Sequence, residues 1–152
     1  MPKIDISAVP LRTGSSYPAP HDAPMAGRSF KGLAEAAGLT QFGANLVMLA
    51  PGGIASQRHW HEKEDEFLIM DSGELVLVED DGETLMRPGE CAAWKAGVAN
   101  GHHMVNRSDA EASFLVIGTD VADEVCWYSD IDMVVRGDTF TKKDGTPFEG
   151  ET

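Results

Sequence analysis

The chain is short of basic residues, cysteines and long apolar runs. Its 152 residues carry 12 Lys and Arg against 25 Asp and Glu, a net charge of −13. Such a surface repels phosphate backbones and anionic lipid, so nucleic acid and membrane are not expected partners. No stretch approaches the ~18 apolar residues that would span a bilayer, and Met1-Pro2-Lys3-Ile4-Asp5 is not followed by a signal-like apolar segment. A soluble, cytoplasmic protein is the expectation. Only Cys91 and Cys126 are present. Two cysteines far apart make no disulfide framework, so both are expected as free thiols.

What is present is glycine, 16 residues in all, and short apolar runs. The length suits one domain, taken as residues 1–152. Pro10, Pro18, Pro20 and Pro24 rule out a long helix or a central strand early in the chain, so residues 1–41 are expected to form an arm laid over the body. Leu33 to Leu39 allows a turn or two of helix, stopped at Gly38. From Asn45 onward the runs have strand length: Leu46 to Ala50, Phe67 to Asp71, Leu75 to Glu79, Thr84 to Met86, Cys91 to Trp94, Met104 to Asn106 and Ser113 to Gly118. This spacing predicts an all-β sandwich or barrel. Asp81-Gly82 is expected to turn the hairpin between the third and fourth runs. Residues 120–152 are expected to add closing strands and a tail, with Phe140 and Phe148 able to pin it.

The chemistry concentrates in Gly53 to Gly73. On a strand, residues two apart share a face, so His59 and His61 project together and Trp60 points away. After a short acidic turn, Glu66 opens the next strand and can bring a carboxylate to the same place. Two imidazoles and a carboxylate make a shell for a divalent ion such as Zn, Fe, Mn or Ni. A second stretch, Gly97 to Asn106, offers His102 from a facing strand, with Asn106 on its face and His103 opposed to it. The predicted ligand set is therefore His59, His61, Glu66 and His102. His103 is expected to pack, and His21 to be a loop residue.

These residues resemble the two motifs of the cupin superfamily. Gly53, His59, His61, Glu66 and Gly73 match every position of the first, and Gly89, Gly97, His102 and Asn106 match the second. Lys95 stands where that motif has proline, and two extra residues separate Gly97 from His102. The resemblance implies a double-stranded β-helix, a jelly-roll-like barrel whose motif-bearing part spans residues 42–119. That part is also similar to a group of small single-domain bacterial cupins, some of them labelled sugar phosphate isomerases by assignment alone. It implies a bound divalent metal, a small-molecule substrate or ligand, and a homodimer.

Such a shell suits isomerisation or epimerisation of a hydroxy-carbonyl compound, with iron-dependent dioxygenation and non-catalytic ligand binding as alternatives. No general base stands out; Glu64, Tyr128 and His103 are the candidates. Of the cations near the motifs, Arg58, Lys63, Arg87 and Lys95, the face argument prefers Lys95 over Arg58 for an anionic substrate. Trp60, Trp94, Phe67 and Phe114 are expected in the core or an interface.

Overall fold

A computed structural model describes residues 3–149; residues 1–2 and 150–152, the ends of the expected arm and tail, lie outside it. Thirteen strands run β1 (Arg12–Thr13), β2 (Arg28–Gly32), β3 (Phe42–Leu49), β4 (His59–His61), β5 (Glu66–Ser72), β6 (Leu75–Glu79), β7 (Gly82–Met86), β8 (Cys91–Trp94), β9 (His103–Val105), β10 (Ala112–Thr119), β11 (Val125–Tyr128), β12 (Val134–Arg136) and β13 (Thr139–Thr141). One α-helical turn, α1 (Leu33–Ala36), follows β2 and is capped by Ala37 and the left-handed Gly38, where the stop was expected. No helix among the described residues is long and apolar enough to cross a membrane.

The strands form an antiparallel six-stranded sheet, β1-β2-β3-β10-β5-β8, packed against two smaller sheets, β13-β12-β11-β4 and β7-β6-β9. This is the expected jelly-roll-like barrel. Register defines the inner face of the large sheet: Leu49 pairs with Ala112, Val47 with Phe114, Phe114 with Met70 and Val116 with Leu68. Residues directly opposite across an antiparallel pair share a face, so these side chains form one layer. Leu75, Leu77, Met86 and Met104 from the facing strands complete the core. Each fully buried Leu or Met there contributes about 1.5–3 kcal/mol of apolar burial. A second cluster of Cys126, Tyr128 and Met133 packs beside it, covered by Tyr17, Phe140 and Phe148, so both phenylalanines hold the chain's end against the barrel.

Two expectations shift. The early segment is more than an arm: β2 lies inside the large sheet, between β1 and β3. The prolines that argue against a strand all precede it, and Arg28 to Gly32 contains none. The hairpin tip is Asp80-Asp81 instead of Asp81-Gly82, because Glu79 pairs with Gly82 and makes that glycine the first residue of β7. Cys91 is exposed and Cys126 buried, and both are free thiols.

Gly73 sets the turn between β5 and β6. Its φ is +70°, and a Cβ there would lie 2.7 Å from Ala112 Cβ and 2.9 Å from Glu111 O. A side chain at this point is strained in its backbone and crowded by β10. Gly73→Ala is expected to lower unfolding free energy by about 3 kcal/mol, combining a left-handed residue with overpacking. Urea denaturation of the variant beside wild type measures it; an unchanged midpoint would refute the close approach.

Candidate metal centre

The site starts from a backbone pairing. His59 N–H donates to His102 O at 3.2 Å, and His102 N–H returns the bond to His59 O at 2.9 Å. This isolated bridge links β4 to the chain entering β9 and turns both imidazoles to one face, their ring centroids 5.0 Å apart. His61, two residues along β4, joins them at 4.9 Å from His59. From the opposite sheet comes Glu66, whose register with Trp94 and Gly118 continues the inner layer of Leu68 and Met70. The four residues picked out from the motifs are thus brought together.

Hydrogen bonds aim the rings. His59 Nδ1–H donates to Gln57 O at 2.9 Å and His102 Nδ1–H to Asn100 O at 3.0 Å. Each bond fixes a tautomer that leaves the Nε2 lone pair free. Those lone pairs face a carboxylate: Nε2 of His59, His61 and His102 lies 3.9, 3.3 and 3.6 Å from the Glu66 oxygens. Trp94 stacks on His102 at 3.8 Å and 5° between planes, while its Nε1–H donates to Glu79 Oε1 at 2.9 Å. The His102 side chain is 3% exposed, and its Nε2 has no hydrogen-bond partner.

A buried acceptor without a donor costs about 1–3 kcal/mol. Acceptors converging on one point call for a cation or a proton between them. Ligands held at ~2.0–2.2 Å from a divalent ion at tetrahedral or octahedral angles stand ~3–3.5 Å apart, near the 3.3–3.9 Å between each imidazole and Glu66; ligand atoms of His59, Glu66 and His102 lie within 4.8 Å of one another, and His61 reaches that set through Glu66. The residues present therefore fit a metal ion.

Electrostatics agree. Burial alone would raise the Glu66 pKa, but the imidazoles of His102, His59 and His61 that face its oxygens hold it well below the ordinary carboxylate range. Burial lowers the pKa of His59, keeping its imidazole neutral. Burial also pulls His61 down, but Glu66, Glu64 and Glu124 together outweigh it and the net shift is upward.

Two further groups border the site that sequence patterning did not supply. Cys126 pairs with His61 across β11 and β4, and its thiol sits with one nitrogen each of His59 and His61 within 4.8 Å of one another. Glu124 accepts N–H bonds from Glu62 and Lys63, both at 2.9 Å, and places Oε1 3.4 Å from His61 Nδ1. Both come from β11 or its approach, more than 60 residues past the histidine pair, and no local spacing encodes that register.

The remaining expectations divide. Asn106 is fully buried, donating to Leu49 O and Ala110 O at 2.8 Å, the internal role expected of it. His103 donates Nδ1–H to Ser56 O at 2.8 Å and belongs to none of the clusters able to hold a metal ion. Glu64 accepts from Val121 N–H at 2.9 Å and has a pKa raised by burial. Tyr128 lies beside His59 at 5.9 Å, and burial drives its hydroxyl pKa far up. His21 sits in the early segment, its carbonyl accepting from Gln57 Nε2 and its ring against Phe148. Arg58 is held by Asp130 and Asp80. Lys95, preferred above for an anion, borders a groove with Phe42 and Phe67 that Glu66 and Trp94 also line, and does not line the cavity of His59 and His102. Phe114 is core, and Trp60 stacks on Trp127 at 6.3 Å.

The Cupin domain family model matches residues 45–118. A sugar phosphate isomerase of the cupin superfamily from Silicibacter pomeroyi is 50% identical, covering 97% of both chains with a TM-score of 0.93. The chain belongs to the cupin family. A proposed sugar phosphate isomerase from Acidithiobacillus ferrooxidans is 23% identical over 82% of this chain and 81% of its own, with a TM-score of 0.72. The polyketide cyclase RemF from Streptomyces resistomycificus is 21% identical over 78% and 79%, with a TM-score of 0.61. These two share the fold. No curated protein sequence matches the chain.

The depressed Glu66 pKa has a consequence for metal-free protein. Because the folded value lies below the ordinary 4.5, the stability it contributes is complete above that pH and is lost as pH falls through the folded value. Glu66→Gln is expected to remove up to one proton's worth of slope below pH 4.5, about 1.4 kcal/mol per pH unit. Urea melts of both proteins in chelator at stepped acidic pH measure the difference; parallel slopes would contradict the ion-pair geometry.

Proposed function

We propose that the protein is a metal-dependent isomerase or epimerase of a small hydroxy-carbonyl compound of the sugar or sugar-phosphate kind, with one divalent ion held by His59, His61, Glu66 and His102. The observation that carries this reading is the approach of three imidazole nitrogens to one carboxylate, with the buried Nε2 of His102 left without a hydrogen-bond partner. The 50% identical Silicibacter pomeroyi protein, described as a sugar phosphate isomerase, supports the reaction class.

When bound, the ion supplies Lewis acidity that polarises a carbonyl and stabilises negative charge on its oxygen. The chain's residues do the rest. Glu66 neutralises part of the ion's charge, and the Trp94 stack together with the Asn100 carbonyl keeps His102 in one orientation. Leu68, Phe114 and Val116 line the inner cavity beside the histidines and give it an apolar wall. Tyr128, kept protonated by burial, is suited to donate a hydrogen bond to a developing oxyanion. Glu64, whose carboxyl pKa is raised by burial and which stands 3.6 Å from His61 Nδ1, is suited to take up and return a proton.

Elemental analysis of purified protein tests the ligand set. Bound divalent ion is expected near one per chain in wild type and at least ~100-fold weaker binding is expected in His59→Ala, His61→Ala, Glu66→Ala and His102→Ala, since loss of a direct ligand exceeds the 10- to 100-fold cost of losing its supporting partner. Full occupancy in any of the four removes that residue from the set. The reaction class is checked by turnover of aldose and ketose phosphates under nitrogen with Zn, Mn or Ni. Substrate-dependent oxygen uptake by the iron form, with no anaerobic turnover, would replace isomerase by dioxygenase.

A further inference from the structure

At a net charge of −13, the molecule attracts no anion without a local cation. Most cations near the barrel's openings are already paired: Arg12 with Glu35, Arg58 with Asp80 and Asp130, Lys63 with Asp123, and Arg107 with Glu83. Arg28 differs. Its register partner is Leu49, and Phe30 on the same strand partners Val47, so the Arg28 side chain lies on the inner face of the large sheet. Nη1 donates to Gly14 O at 2.9 Å and the guanidinium rests on the Phe30 ring, 4.4 Å from its centre. No carboxylate among the described residues pairs with it; the neighbouring titratable group is Tyr17. An arginine carries five N–H donors, and among the described residues only one is engaged. A half-buried, permanently charged fork with donors to spare is suited to a planar or tetrahedral oxyanion.

Its location gives this a direction. Arg28 borders an inner cavity of about 140 Å³ that also contacts His59, Glu66 and His102. It equally borders an open groove of about 450 Å³ walled by Ser15, Ser16, Tyr17 and Tyr128. Ala55 and Ser56 are common to both. The inner cavity is the smaller of the two and the groove the more open, so the ligand's charged end is placed on the groove side of Arg28.

We infer that Arg28 is an oxyanion-binding residue that holds the phosphate or carboxylate of a small hydroxy-carbonyl ligand at the mouth of the groove while the ligand's other end enters the cavity of His59, Glu66 and His102. The direction of the ligand rests on the proposed metal centre; the anion site does not. Phosphate and carboxylate share the chemistry that the guanidinium reads.

Three matched probes test it by calorimetry on the metal-loaded protein: glycerol 3-phosphate, glycerate and glycerol. Wild type is expected to bind at least one of the two anions at least 10-fold more tightly than glycerol, and the preferred anion identifies the headgroup. Arg28→Gln is expected to abolish that preference while leaving the metal content unchanged. Arg28 also supports Phe30 and Gly14, so a second measurement needs no variant. Modification of wild-type Arg28 by phenylglyoxal, followed by peptide mass spectrometry, is expected to slow at least 10-fold when the preferred anion saturates. Equal binding of all three probes, an unaltered anion preference in Arg28→Gln, or unprotected modification with the anion bound would each overturn the assignment. Metal content measured in the same samples keeps the two readings apart: an anion preference that depends on Arg28 in protein that takes up no ion would sink the metal centre and leave Arg28 in place.

Discussion

The reciprocal backbone bonds between His59 and His102 are the constraint on which the site depends. They join strands from two small sheets that otherwise share no ladder, and in doing so fix which way both imidazoles point. Strand alternation then places His61, and sheet packing brings Glu66 to meet them from the opposite layer. A slip of one residue in that pairing would turn the rings outward and bring Trp60 in. The fold's topology and the site's geometry are therefore one fact described at two scales.

The site also stands against the trend of the interior around it. Leu68, Met70, Phe114 and Met104 surround it with apolar burial, in which an unpaired lone pair or carboxylate is costly. Elsewhere the interior's buried polar side chain is satisfied: the Asn106 amide ties β3 to the turn before β10. Rigidity at the rim comes from Arg58, which gathers Asp80, Asp130 and the Gly101 carbonyl around the segment that delivers His102. A residue that resembles an anion binder in sequence is instead a brace for the loop.

Much of the barrel was legible in the sequence because the signals were local. His59, His61 and Glu66 lie within eight residues, so strand periodicity pairs the histidines and the short turn after them limits how far Glu66 can stand, and Leu75 to Glu79 and Cys91 to Trp94 match β6 and β8 end to end. What was not legible depends on long-range register. Arg28-Ser-Phe-Lys-Gly32 has no alternating apolar pattern and becomes a strand only because β3 offers it an edge. Cys126 and Glu124 reach His61 through a pairing whose partner is distant in the chain. Lys95 directly follows Trp94, and only the packed structure reveals that the indole turns in and the lysine does not.

The placement of the indoles gives the molecule its own optical probe. Trp60 and Trp127 stack on each other away from the histidines, whereas Trp94 lies flat against His102. One chromophore of three is thus in van der Waals contact with a ring of the site. Its emission senses whatever that imidazole holds, while the stacked pair serves as an internal reference in the same spectrum.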